Sequence, residues 1–297
     1  MRVAVSGSHG LIGSALVARL LADGHDVVRL VRGEPGPGEI GWDPRAGRLD
    51  RRALTGVDAV VNLAGAGIGD RRWTDEYRRT VLESRTHGTT LLAEAIAELD
   101  DGPRVLLSGS AVGIYGDRGD EELDEHAAPG SGFLAEVARA WEAATAPAER
   151  AGARVVHLRT GIVVAAHGGA FAKLLPIFRL GLGGRFGSGR QWMSWISLDD
   201  EVRAIVHLLT SDLAGPVNLT APNPVRNAAL AATLGRVLRR PAVLPVPAFG
   251  PQLLLGRERA AALLLEGQRV LPTRLVADGF EFAHPDLETA LRAVLGR

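Results

Sequence analysis

Cysteine is absent from this 297-residue chain, which removes disulfides, thiolate nucleophiles and cysteine-type zinc sites together. Lysine is nearly absent: among 34 basic residues only Lys173 is one. Tyrosine is scarce, with Tyr77 and Tyr115 the whole supply. Neither charge sign is in excess, the formal net charge being zero, so no global field draws in nucleic acid or an anionic membrane. No uncharged apolar run reaches the roughly 18 residues of a membrane span, and a first strand beginning at Arg2 leaves no room for a signal peptide. The eight histidines lack metal-ligand spacing, and no Gly-x-Ser-x-Gly elbow occurs, so no metal site is expected. These absences predict a soluble cytoplasmic protein with a small-molecule substrate and no nucleic-acid or membrane partner. They leave its oligomeric state open.

What is present is a large apolar share, 46% of residues, arranged in alternating strand and helix patterns. Val3 to Val5 is a short apolar run, and Leu11 to Ala22 carries helical apolar spacing. Asp23-Gly24-His25 marks a turn, and Val27 to Val31 reads as a second buried strand. Further runs at 59–63, 105–107 and 155–158 are separated by helical stretches at 74–99 and 133–150. Strands alternating with helices predict an α/β fold, a doubly wound parallel sheet of the Rossmann type. The segment 33–47, rich in Gly and Pro, reads as a loop or short hairpin. From Asn227 short helices and prolines dominate. The chain is therefore divided into a nucleotide-binding domain at 1–225, including cleft segments 165–200, and a small helical C-terminal lobe at 226–297.

The loop Gly7-Ser8-His9-Gly10-Leu11-Ile12-Gly13 follows the first strand and opens the first helix. A pyrophosphate approaches backbone closely only where side chains are missing, and helix N-terminal N–H groups then meet its charge. The position after the first strand is the one a dinucleotide fingerprint requires. The second strand ends at Val31-Arg32, where an NAD site would place Asp or Glu. An arginine there accommodates a 2′-phosphate, so Arg32 favours NADP(H). Asn62-Leu63-Ala64-Gly65 closes the next strand with small residues that let backbone flank the adenosine.

Together with that loop, Ser108-Gly109-Ser110, Tyr115-Gly116-Asp117 and Leu198-Asp199-Asp200 make the chain resemble the extended short-chain dehydrogenase/reductases. Trp42-Asp43-Pro44, Arg72-Trp73-Thr74, Ser84-Arg85, Gly187 to Trp195, Asn218 to Val225 and Gln268 to Pro272 narrow it. They resemble the epimerase-family proteins of the YfcH type over nearly the whole length. The resemblance implies cofactor contacts at Arg32, Leu63, Ala64, Arg85 and Val163, alongside the glycine loop, Gly65 and Ser108. Extended reductases use an Asn–Ser–Tyr–Lys set, in which the tyrosine moves a proton and the lysine lowers its pKa. No Tyr-x-x-x-Lys exists anywhere in this chain. Phe133, Leu134, Val137 and Ala138 stand where it belongs, Arg85 takes the asparagine's place, and only Ser110 is retained.

Nucleotide-sugar epimerases grip their substrate's phosphates with an arginine whose place is taken here by Met193, and their asparagine is matched by Ile162. A diphosphate without such partners is poorly held. Trp42, Trp73, Trp192 and Trp195 fall in loops or edges near the expected cleft, either lining an apolar substrate pocket or packing the sheet against the C-terminal lobe. Tyr115 is either a displaced proton donor or a loop anchor. Asp199 and Asp200 are expected to cap the helix after Ser197. Two functions follow: an atypical NADP(H)-dependent oxidoreductase or epimerase whose proton transfer uses Ser110, Tyr115, a bound water or the substrate itself, or a catalytically degenerate NADP(H)-bound sensor or partner-binding protein.

Overall fold

The computed structural model describes residues 1–297, apart from the side chain of Leu254. Its centre is an eight-stranded sheet in the order β12-β8-β6-β5-β1-β2-β3-β4, parallel throughout except for the last pair. The inner strands are β1 (Arg2–Ser6), β2 (Asp26–Val31), β5 (Ala59–Asn62), β6 (Val105–Ala111) and β8 (Arg154–Thr160), with β12 (Gly215–Leu219) at one edge. β3 (Glu39–Asp43) and β4 (Arg48–Leu49) extend the other edge. The segment 33–47 thus supplies a true sheet strand as well as a loop. Ile40 and Trp42 are the buried positions of β3, and hydrogen bonding along β2 holds it in place.

Helices cover both faces, as a sheet buried on two sides demands. α1 (Leu11–Ala22) and α6 (Leu198–Thr210) pack on one face, where Leu16, Leu20, Val202 and Ile205 meet Val3, Val61 and Leu107. On the other lies α2 (Asp75–Glu98), whose Leu92 and Ile96 meet Ala4, Val60 and Leu106. α3 (Phe133–Ala143) and α4 (Ala146–Arg150) replace the single helix expected over 133–150. Pro147, in the first turn of α4, has no N–H to bond back along a continuous helix, and the chain restarts there.

The remaining elements surround the strand ends. β7 (Glu122–Leu123) pairs with β14 (Arg269–Val270), β9 (Ile162–Val164) with β11 (Trp195–Ser197), and β10 (Trp192–Met193) with β13 (Val225–Arg226). α5 (Gly169–Arg179), α7 (Asn227–Leu238) and α11 (Leu287–Leu295) share one apolar cluster with Val164 and Trp195, which draws on both sides of residue 225. α8 (Phe249–Leu255), α9 (Arg257–Ala260) and α10 (Thr273–Ala277) complete the chain. Among the described residues no helix is long and apolar enough to cross a membrane.

Candidate functional site

Where the strands end, apolar rungs give way to polar ones. Ser6, Asn62, Ser108 and His157 stand in register across β1, β5, β6 and β8. Two residues on, Ser110 pairs with Arg159, and Arg159 with Asn218. Buried polar groups must find partners, and most of these find each other. Ser6 donates to Asn62 Oδ1 at 2.6 Å, while its oxygen accepts from the Leu63 and Ala64 amides at 3.1 and 3.2 Å. Asn62 in turn donates to Thr89 on α2. This lattice fixes the Asn62–Gly65 segment against the glycine loop.

That loop is shaped by missing side chains. Gly7 has φ +66°, and a Cβ there would lie 2.7 Å from the Leu63 carbonyl. A Cβ on Gly13 would drive into the Gly7 carbonyl oxygen. The N-terminus of α1 has no side-chain cap and no acidic residue in its first turn. Its positive pole and first amides are therefore free to meet an anion. Ser8, 3% exposed, has a hydroxyl with no hydrogen-bond partner, and so does buried Ser108. Arg32 is exposed at the end of β2. Arg85 is more unusual. It reaches from α2 to the Ala66 and Val81 carbonyls at 2.9 and 3.0 Å, stacks 5.0 Å from the Trp141 ring, and has no carboxylate partner. Burial lowers its pKa to about 10, leaving it charged at neutral pH. A Cβ on Gly65 would meet this guanidinium at 3.2 Å. Val163 lies half-buried on β9, packed against the core of the α1 face.

The β6–β8 end differs in character. Arg159 holds Glu142 by two bonds, Nε to Oε1 at 2.8 Å and Nη2 to Oε2 at 2.9 Å. Ser110 donates to the same Oε1 at 2.7 Å. Burial alone would raise the Glu142 carboxyl, but the Arg159 and Ser110 bonds outweigh it and hold it below the usual range. Tyr115, fully buried, donates to Asn218 Oδ1 at 2.7 Å and accepts from Arg159 Nη1 at 2.9 Å. Burial pushes its pKa up. The structure gives Tyr115 the place of an internal anchor, its hydroxyl engaged on both sides. Neither Glu142 nor Arg159 is marked by a local motif; only their burial and mutual approach across 17 positions identify them.

The four tryptophans do not form one cluster. Trp42 is packed in the core against α2, and Trp195 is fully buried with its indole donating to the Asn223 carbonyl. These two serve packing. Trp73 meets Phe133 edge-on at 4.9 Å, beside Ile68, and forms an apolar wall next to the start of α3. Trp192 donates to Asp120 at 3.0 Å, and the guanidinium groups of Arg226 and Arg269 stack on it at 4.1 and 4.8 Å. It edges a cavity lined also by Asp117, Arg190 and Leu265. Met193 and Ile162 are half-buried in the apolar cluster around Trp195, facing hydrocarbon.

The expected cap at the start of α6 needs correction. Ser197 is the cap, its hydroxyl accepting the Asp200 amide at 3.0 Å. Asp200, fully buried, instead gathers the Ala283 and His284 amides and the Arg203 guanidinium. Its neighbour Glu201 is also fully buried. Glu201 accepts only from Thr160, at 2.8 Å, and its second oxygen has no partner. Burial raises its pKa to about 8, so it is a neutral acid under the end of β8. Nothing in the sequence around it signals this state.

Similarity to known proteins agrees with this geometry. The model of the NAD dependent epimerase/dehydratase family matches residues 3–219, and that of a domain of unknown function matches residues 246–294. The chain is 47% identical to the epimerase family protein Mb2239 of Mycobacterium bovis, over 97% of this chain and 96% of that one. The crystal structure of human epimerase family protein SDR39U1 with NADPH superposes with a TM-score of 0.91 at 38% identity, covering 100% and 99% of the two chains. A structure described as the nucleoside-diphosphate sugar epimerase of Corynebacterium glutamicum gives 0.81 at 39% identity, across 58% of that longer chain.

Proposed function

The chain belongs to the NAD dependent epimerase/dehydratase family, and from that premise we propose that it binds NADP(H) and acts as an atypical oxidoreductase or epimerase on a small substrate other than a nucleotide sugar. The observation that carries this is the uncapped α1 N-terminus beneath a loop whose Gly7 and Gly13 have no room for a Cβ. The loop 7–13, with the Ser8 hydroxyl, would hold the pyrophosphate. Arg32 would take the 2′-phosphate, and the Leu63, Ala64 and Gly65 backbone the adenosine. Arg85 supplies a fixed positive fork for ribose or phosphate, a half-buried charge without a carboxylate partner among the described residues, which an anion would satisfy. Ser108 and Val163 flank the nicotinamide end. The cofactor, when bound, supplies a hydride donor or acceptor.

Proton transfer is arranged by this chain's own groups. Ser110 is the only member of the usual set in place, and its proton is directed at Glu142. In carbonyl reduction its hydroxyl can turn to the substrate oxygen, the proton being supplied by a bound water, because Arg159 holds Glu142 as the carboxylate. Leu134 and Ala138 offer nothing at the usual position. As for substrate, Arg226 is neutralised by Asp120 and Arg269 by Glu122, and Met193 faces hydrocarbon, so no free pair of cations awaits a diphosphate. The wall of Ile68, Trp73 and Phe133 favours an apolar molecule.

The test is incubation with NADPH and a broad panel of carbonyl compounds, read at 340 nm. The expected result is cofactor oxidation that Ser110→Ala abolishes. The engaged Tyr115 hydroxyl favours one alternative, a nucleotide-bound sensor or partner-binding protein without turnover. For that reading, NADPH raises the melting temperature or alters partner affinity without being consumed.

A further inference from the structure

The zero net charge of the chain conceals a strong segregation. No Asp or Glu occurs between Arg150 and Leu198, nor between Leu213 and Arg257. The two acid-free stretches lie side by side. A Cβ on Gly181 would touch Pro241, the Val246 amide donates to the Arg185 carbonyl at 2.8 Å, and the Gly187 amide donates to the Val246 carbonyl at 2.9 Å. Sequence distance thus becomes one surface.

That surface also gathers exposed hydrocarbon. Of the ten exposed large hydrophobic side chains among the described residues, all but Met1, Leu21 and Val276 belong to it. Leu180, Val243, Phe249 and Leu253 are 71–81% exposed. Phe249 and Leu253 stand one turn apart on α8. Side chains so exposed project from the molecule; they do not line a groove. Around them Arg179, Arg239 and Arg240 are exposed and form no ion pair among the described residues, whereas Lys173 meets Asp70 and Arg236 meets Glu288 at the margin.

We propose that the face formed by 177–185 and 239–253 docks peripherally on an anionic lipid surface, inserting Leu180, Val243, Phe249 and Leu253 among the acyl chains beneath a rim of arginines. Projecting apolar tips flanked by free cations match the interfacial zone of a bilayer, where hydrocarbon and anionic headgroups lie within a few ångströms of each other. A second copy of the chain would bring the same positive charge to the contact, which opposes self-association through this face. An acidic protein would satisfy the arginines but leave the projecting side chains without a fluid medium to enter.

The test is flotation of the full-length protein with vesicles of phosphatidylcholine alone and of phosphatidylcholine with 30% phosphatidylglycerol. Binding is expected only to the second, falling as salt rises. Arg239→Gln and Arg240→Gln should each weaken it about fivefold, and Phe249→Ser with Leu253→Ser should abolish it. All four positions are exposed, so an unchanged melting temperature and NADPH response will show these variants to be folded. Three outcomes overturn the proposal. One is equal binding to both vesicle types or none to either, and another is vesicle binding unaffected by the variants. The third is a dimer in solution that Leu253→Ser makes monomeric, or poly-glutamate binding as tightly as the vesicles.

Discussion

The two ends of the nucleotide cleft are built on opposite terms. At the α1 end, two glycines leave room for a guest, the helix terminus is uncapped, the buried Ser8 hydroxyl has no hydrogen-bond partner, and the half-buried Arg85 has no counter-charge among the described residues. At the β6–β8 end, Ser110, Glu142, Arg159, Tyr115 and Asn218 bond to one another in one unbroken chain. The first region holds polar capacity in reserve for something that is not protein. The second spends nearly all of its capacity internally.

Substitutions can break this contrast in a definite order. The largest effect belongs to this chain of bonds: Glu142→Ala leaves buried Arg159 without its counter-charge, and should cost about 3–5 kcal/mol in urea unfolding. Glu201 tests the same region through pH. Its folded pKa, about 8, lies above that of an unfolded glutamate. The native state therefore holds the proton more tightly, and the stability this adds is full below pH 4.5 and lost as pH rises toward 8. The difference between the protein and Glu201→Gln, followed by urea midpoint across that window, should slope by up to ~1.4 kcal/mol per pH unit. A flat difference would mean that Glu201 is ionised in the fold.

The open end should respond in nucleotide binding, and at Gly13 in unfolding as well. Gly13→Val forces a side chain against the Gly7 carbonyl. Overpacking costs about 1–3 kcal/mol, so NADPH affinity should fall about 10- to 100-fold in a fluorescence titration. The smallest change is at exposed Arg32. Arg32→Ala should weaken NADPH about tenfold by loss of one charge-assisted contact while leaving NADH nearly untouched. Equal losses for both nucleotides would remove Arg32 from the 2′-phosphate.

Local signals carried much of this architecture. β1 and α1 follow from an apolar run, a glycine loop and helical spacing, all within 22 residues. β3 was illegible as a sheet strand because Gly and Pro surround its two buried residues; pairing with β2 supplies what local propensity does not. The break between α3 and α4 is marked in the sequence by Pro147. Trp42 and Trp195 look alike in sequence to Trp73 and Trp192, and only tertiary packing separates core from cleft. The Arg159–Glu142 pair and the neutral Glu201 depend on burial, which no spacing reports. The basic apolar face is a similar case: its two stretches are visibly acid-free, yet exposure appears only when they meet.

Arg85 carries a last consequence. At the position where the resemblance to extended reductases implies an asparagine, it sets a cation that keeps its proton up to about pH 10. Acidifying or alkalising the surroundings within the range cells inhabit cannot switch that charge off. The grip it exerts on an anionic guest will be constant through such swings, and any acid–base sensitivity in the protein's behaviour must originate in other groups.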